Sequence, residues 1–518
     1  MISKLQTSYQ ELRLILGDQL NIQHHWYKEV DPSVLYVMME VKSETDYVVH
    51  HIQKVASIFK AMELFAEKLT QQGHQVKYIY LDDPDNTQSF VDNVRHLIQK
   101  YSIHKIQYQA PDEYRLDEIL DQLKDLGVEC LKVNTDHFYT KRSELKDFFK
   151  DKKIYLMESF YRHMRLKHSI LLEKDNKPIG GKWNFDKENR KPINSKVKIP
   201  PPASYSQDVS KPLERIRKMG IRTMGNISHN TVDWPLTKEE SLQSLDYFIE
   251  YLLPDFGNYQ DAMHTEYAFL FHSKLSFSLN VKLISPSEVI NQVIQAFHQH
   301  PSKYSIATVE GFVRQILGWR EYMRGMYWTL MPEFAQENYF EHQRSIPDFL
   351  WTGDTKMNCV KCSVQQSLDL AYAHHIQRLM VIGNFLLLAG IHPDEVDRWY
   401  LGVYIDAFEW VEITNTRGMS QFADGGKIAT KPYISSASYI NKMSNYCSSC
   451  FYNKDKKIGE GACPFNSLYW NFFHTHQNKL SKNPRIGMMY ATWNKMKPTE
   501  KEALIQQAQT YLNDVENL

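Results

Sequence analysis

The sequence lacks most of what would staple it, anchor it or export it. Six cysteines in 518 residues are too few for a disulfide-dense scaffold, and a chain this long buries a large core without staples. Hydrophobic residues at 42% and charged residues at 24% exclude collagen-like repeats and wholesale disorder. The longest apolar run, near Val381–Ile391, is broken by Gly383 and Asn384, well short of the about 20 residues that cross a bilayer. No basic start leads into an apolar stretch with a small-residue cleavage site, so no signal peptide is expected and a cytoplasmic location with reduced thiols is. A GxGxxG dinucleotide fingerprint is absent.

Net charge is absent too, with 61 Lys and Arg against 61 Asp and Glu, but the distribution is uneven. Residues 141–230 carry 22 basic against 10 acidic side chains, a local +12 on a neutral chain. That suits either a solvated linker or a polyanion-facing segment. Aromatics are abundant, with 10 Trp, 31 Tyr and 25 Phe.

The first 135 residues alternate short β-rich runs (Leu12–Leu16, Val34–Val41, Val76–Leu81, Lys105–Tyr108, Cys130–Val133) with helical stretches near 45–72, 88–101 and 115–126. Ile52, Val55, Ile58, Phe59, Met62 and Phe65 form an apolar stripe at helical spacing. Such alternation predicts a doubly wound parallel α/β sheet covered on both faces. Ligands of these folds lie beyond the carboxyl ends of the strands, here Gly17-Asp18-Gln19 and the region of Glu40 and Glu44; a tight turn capped by Asp18 is the plainer alternative. Residues 136–240 read as a basic connector, within which GGKWNFDKENR (180–190) is a functional loop or an exposed spacer. From 241 to 518 helical patterns dominate, at 238–253, 261–271, 287–299, 308–329, 364–389, 394–409, 463–475 and 499–513, predicting a large all-α domain able to enclose a cofactor.

Cys447-x2-Cys450-x12-Cys463 has metal-ligand spacing, with a fourth thiolate available from Cys359 or Cys362. Four thiolates suit zinc or an iron–sulfur cluster; Pro464 after Cys463 and the remoteness of Cys359 lean towards iron–sulfur. Cys130 is expected in the core. His374 and His375 fall on a predicted helix with Arg378 one turn after His374, beside apolar residues where they would be costly to bury unless satisfied. A histidine there could protonate a leaving oxygen near neutral pH. Segments 272–280, 315–328 and 399–426 add hydroxyls, arginines and aromatics, as a cavity for a large conjugated cofactor with phosphates would need.

With these motifs assembled, the chain resembles the photolyase/cryptochrome superfamily, and within it the bacterial iron–sulfur branch, the prokaryotic (6-4) photolyases. LILGDQL (14–20), MESFYR (157–162), GGKWNFDKENR (180–190), WREYMRG (319–325), MNCV (357–360), AHHIQRLM (373–380), RWY (398–400), GMSQFADGG (418–426) and the Cys-x2-Cys…Cys-Pro-Phe set carry the resemblance over essentially the whole chain. It implies FAD in the helical domain, contacted by His272, Ser273 and Ser276 at its phosphates, by Gln315, Trp319 and Arg320, and by Arg378, Asp406 and Asn415 around the ring. It implies His374, His375, Tyr433 and Tyr439 at the lesion, a [4Fe-4S] cluster on Cys359, Cys447, Cys450 and Cys463, and an electron relay through Trp399, Tyr400 and Trp351. A 6,7-dimethyl-8-ribityllumazine antenna would sit by Gly17, Asp18, Glu40 and Glu44. The expected organisation is an antenna domain at 1–135, a connector at 136–240 and a catalytic domain at 241–518.

The expected activity is light-driven repair of (6-4) photoproducts in UV-damaged DNA by a monomer with no membrane partner. A cryptochrome-like photoreceptor with the same cofactors, repair of cyclobutane dimers, and a zinc-stabilised DNA-binding module without flavin are the competing readings.

Overall fold

The computed structural model describes residues 5–518 apart from 151, 153 and 195. The leader reading over residues 1–4, and those three connector positions, lie outside the described residues. Five strands, β1 (Glu11–Ile15), β2 (Val34–Met39), β3 (Gln75–Ile79), β4 (Lys105–Gln109) and β5 (Glu129–Val133), form one sheet in the order β3-β2-β1-β4-β5. Every pairing is parallel. The interior strand β2, VLYVMM, is buried throughout, as a strand covered on both faces must be. The edge strand β5 is mostly open, so Cys130 is half-buried there and not in the core as expected.

The apolar stripe lies on the helix Ile52–Gln71, capped by His51, whose Nδ1 accepts from the Gln53 N–H. The expected start at 45 fails because a short turn, Ser43–Asp46, and a two-residue strand, His50–His51, intervene; that strand pairs with Thr223–Met224 of the connector. Gly17 ends β1 under this helix. A Cβ there would meet Ile58 at 2.9 Å and Met62 at 3.0 Å, so the position is small because the helix packs on it.

Among the described residues no strand follows Val232. The helices Pro286–Gln299, Pro464–Thr475 and Pro498–Asn513 match expectation, each with proline in its first turn, where a missing N–H costs nothing. Three expected helices fail in whole or in part. Residues 261–271 form turns because their donors bond elsewhere: the Met263 N–H to the Met443 carbonyl (2.9 Å) and the Thr265 N–H to Asn445 (3.0 Å). The stretch 364–389 is broken after Asn358–Leu370, where Ala371 turns left-handed at φ 52°, and π-helical geometry takes over at Gln377–Gly383. His374 therefore precedes the second helix. The expected helix at 394–409 likewise ends at Val403.

The sheet and the helical part are joined by a buried ion cluster. Strand order reverses between β1 and β4, and the crevice at such a switch point is the usual ligand site. Here Asp18, after β1, and Asp112, after β4, both face Lys282 from the helical part. Its Nζ lies 2.9 Å from Asp18 Oδ2 and 2.8 Å from Asp112 Oδ2, and donates to the Asp18 carbonyl at 2.6 Å. Lys282 is 1% exposed. Removing one member of a buried pair strands the other charge, at about 3–5 kcal/mol. Lys282→Met is accordingly expected to lower the chemical-denaturation midpoint by a shift of that size; an unchanged midpoint would contradict the clamp.

Candidate functional site

A cavity of about 1080 Å³ lies inside the helical part. Three π-helical turns, Arg314–Arg320, Gln377–Gly383 and Thr414–Ser420, supply much of its wall. A π-turn inserts a residue into the helical register and re-aims the side chains around it. The first turn presents Gln315, Trp319 and Arg320, the second Arg378, the third Asn415 and Thr416. The second and third pack closely through Gly383, where a Cβ would lie 2.1 Å from Ser420 Oγ.

All nine residues expected around a flavin line this one cavity: the three on the first turn, Arg378, Asn415, Asp406, and His272, Ser273 and Ser276 from the 272–280 segment. His374, His375, Tyr433 and Tyr439 line it as well. Arg378 is fixed on three sides. Its Nη2 donates to Asp406 Oδ1 (2.9 Å) and Oδ2 (3.2 Å), its Nε to the Ala373 carbonyl (2.6 Å), and its guanidinium lies 3.7 Å from the centre of the Tyr404 ring. Arg320 is less satisfied. Nη2 donates to the Leu279 carbonyl, but Nε and Nη1 are buried without partners, and burial pulls its pKa down to about 10. Two free donors on a buried cation suit an anionic group such as a phosphate.

The histidines cluster more tightly than the sequence implied. The His272 and His374 rings stack at 4.6 Å between centroids and 16° between planes, so the expected phosphate contact His272 also lies against the histidine pair. Both ring nitrogens of the buried His374, and Nε2 of His272, lack partners. His375 opens onto the cavity interior. Enclosure holds His272 and His375 at about 4 and His374 well below its ordinary value, with nearby His375 and Arg378 adding to the effect. All three imidazoles are thus neutral at pH 7 in the ligand-free cavity, and a nearby anion is what would raise one.

Glu412 was not singled out as a site residue. It lines the cavity with Asn415 and Thr416, three and four residues on, a spacing that puts all three on one helical face. Burial, offset by Arg378, raises its pKa to about 7. At the mouth, Asp186 from the 180–190 loop lies near Arg314 (3.4 Å) and pairs with Arg190; Lys431 and Arg485 add positive charge.

A second, smaller cavity is lined by Cys359, Cys447, Cys450 and Cys463; Cys362 faces Asn358 instead. Each of the four acts electrostatically on another of the set, and burial raises the Cys447 and Cys463 thiols to about 11 and 12. No three of these sulfurs lie within 4.8 Å of one another among the described residues. Trp399 and Tyr400 are 5.3 Å apart by ring centroid; the Tyr400 hydroxyl donates to the Arg378 carbonyl at 2.7 Å. The Trp399 indole donates to the carbonyl of Leu350, whose neighbour Trp351 is 40% exposed.

The residues expected around an antenna are otherwise engaged. Asp18 holds Lys282, and Gly17 is a packing position. Glu40, 1% exposed, takes Arg215 through both oxygens (2.7 and 3.0 Å), together with Tyr78 and the Leu81 N–H. Glu44 pairs with Arg115 at 2.8 Å through both oxygens.

Residues 13–232 match the family model described as deoxyribodipyrimidine photo-lyase-related protein. The chain is 40% identical over 513 residues to a protein named "(6-4) photolyase" from Agrobacterium fabrum (strain C58), covering 98% of this chain and all of that one. Its fold is similar to a bacterial class III photolyase from Agrobacterium tumefaciens (TM-score 0.54, 16% identity, 83% of each chain). It is also similar to a Synechocystis sp. PCC6803 cryptochrome (TM-score 0.53, 12% identity, 80% of this chain and 82% of that one).

Glu412 generates a pH prediction. Between about pH 4.5 and 7 the folded protein keeps a proton that the unfolded chain has released, so stability falls as pH rises through that window. Ligand-free Glu412→Gln should lose less melting temperature than the unsubstituted protein between about pH 5 and 7.5; parallel curves would contradict the assignment.

Proposed function

The chain belongs to the photolyase/cryptochrome family, and from that premise we propose that it repairs (6-4) photoproducts in UV-damaged DNA, driven by light and acting as a monomer. The observation that carries this reading is the meeting of His374, His375, Tyr433 and Tyr439 with the nine expected flavin contacts in one cavity. On this reading residues 241–518 are the catalytic part and 136–240 connect it to the α/β part, 1–135.

FAD fits the cavity by the chemistry of its donors. The unpartnered Nε and Nη1 of Arg320, with the Ser273 and Ser276 hydroxyls, would hold its phosphates, and Arg378, Asp406 and Asn415 would border its ring. Reduced FAD, when bound, supplies the electron that starts repair after light absorption. This chain's residues then position the lesion and handle its proton. Tyr433 and Tyr439 offer apolar faces to a base taken out of the stack, which costs a few kcal/mol and less for a damaged base. Arg190, Lys431 and Arg485 attract backbone phosphates, so affinity should weaken with salt. His374, whose ring nitrogens are unpartnered, or His375 beside it, would take up a proton when negative charge on the bound lesion lies against it, and pass that proton to the lesion oxygen as it leaves. Trp399 and Tyr400 form the inner steps of an electron path to the surface, with Trp351 as its exposed end.

Four cysteines around one small cavity offer a thiolate set of the kind that a zinc ion or an iron–sulfur cluster takes, and on this reading they would hold a [4Fe-4S] cluster, as the Cys463-Pro464 ending favours. The lumazine antenna does not fit the four residues expected to cradle it, since Asp18, Glu40 and Glu44 already hold cations and Gly17 serves packing; no step is assigned to it.

Two outcomes test this reading. Illuminated protein with reduced flavin should restore the bases of an oligonucleotide carrying a (6-4) lesion. His374→Ala and His375→Ala should each slow repair by about 100-fold or more while flavin photoreduction persists. No repair of the (6-4) oligonucleotide, with repair of a cyclobutane-dimer oligonucleotide that both histidine variants retain, would point instead to cyclobutane dimers, which need no proton donor. Cys359→Ser should lose iron on elemental analysis, whereas Cys362→Ser should keep it; the reverse pattern would reassign the fourth ligand.

A further inference from the structure

His374 sits in irregular backbone, yet its position is closely determined. Its N–H donates to Gln377 Oε1 at 3.0 Å. Gln377 is 1% exposed and uses all its remaining hydrogen-bonding capacity. It forms a reciprocal amide pair with Gln366, Nε2 to Oε1 at 2.9 Å in one direction and 3.1 Å in the other. Its second N–H donates to Tyr446 Oη at 3.0 Å. Gln366 also donates to the carbonyls of Ala268 (3.4 Å) and Tyr372 (3.2 Å), tying down the irregular segments that carry His272 and His374.

The other end of this network is the cysteine cage. Tyr446 lines the small cavity and precedes Cys447; its carbonyl accepts from Asn358 Nδ2 at 2.8 Å, beside Cys359. Gln366 lies on the same helix as Cys359, Asn358–Leu370. One rigid helix and one buried tyrosine therefore join the thiolates to the histidine loop. Since Gln377 has no spare donor or acceptor, a displaced Tyr446 would leave a buried N–H unsatisfied or shift the amide pair and His374 with it.

We propose that Gln377 and Tyr446 are positioning residues through which the cysteine cage sets the placement of His374 in the lesion cavity. This rests on the repair reading for its catalytic consequence but not for its structural one. Burial lowers the titration of the His374 ring most, nearby His272, His375 and Arg378 lower it further, and the Ala262 backbone opposes them; with the ring stacked on His272, small displacements change this balance.

The test uses cofactor-loaded Tyr446→Phe, which keeps the ring and removes the acceptor, and Gln377→Leu, which removes the amide. In ¹³Cε1-histidine-labelled protein in the dark, the His374 signal is assigned by its absence in His374→Gln. Both variants should move its pH midpoint in the same direction with iron and flavin content retained, and both should slow (6-4) repair about fivefold or more. The double variant should be no worse than the worse single variant, as expected for one coupled unit. If Tyr446→Phe keeps its cofactors and leaves both the His374 midpoint and the repair rate unchanged, the relay is overturned, whatever Gln377→Leu does. If the unsubstituted protein repairs no (6-4) lesion while the midpoint still moves in both variants, the positioning holds and the repair reading fails.

Discussion

A guanidinium inside a protein needs a countercharge and acceptors, and Arg378 finds a carboxylate and a carbonyl at the point where the helical pattern breaks. Asp406 supplies the carboxylate, the Ala373 carbonyl accepts from Nε, and Tyr404 covers the flat face. Asp406 and Ala373 lie in stretches that have left regular helix, at 404–408 and 371–374. The same constraint that keeps Arg378 charged thus holds both irregular segments in place, and these carry the histidines on one side of the cavity and approach Glu412 on the other. Removing the pair would free two cavity walls at once.

The legible part of the fold is the part governed by local periodicity. The five strands of the sheet appear within about two residues of their apolar runs, because covered parallel strands are continuous in sequence. Cys447, Cys450 and Cys463 were legible as a group because their spacing is a local signature, whereas the choice of Cys359, about 90 residues upstream, came only with the resemblance. Irregularity was not legible. The displaced donors of 261–271 follow from partners such as Met443 and Asn445, about 180 residues away, which no window includes. The acidic residues at the strand ends were misjudged for the same reason. Glu40 and Asp18 suit a ligand until Arg215 and Lys282, 175 and 264 residues on, are seen to fill them.

The candidate site divides along similar lines. Motif residues such as Arg320 and Asn415 could be named because their segments carry the family resemblance. Glu412 and Gln377 sit within those segments but act through geometry, one by burial beside an ion pair, the other by using every valence of its amide. The histidine stack was likewise invisible, since His272 and His374 come from segments about 100 residues apart.

The Lys282 cluster bears on how a substrate enters. A protein that closes around its ligand must hinge where its parts meet, yet here that junction is an ion cluster in which Lys282 holds Asp18 and Asp112, and Asp112 also meets Arg324. Opening it would strand several of these charges at once. The cavity must therefore fill through its mouth with the two parts fixed. The work of accommodation falls on whatever enters, since the receptacle itself does not yield.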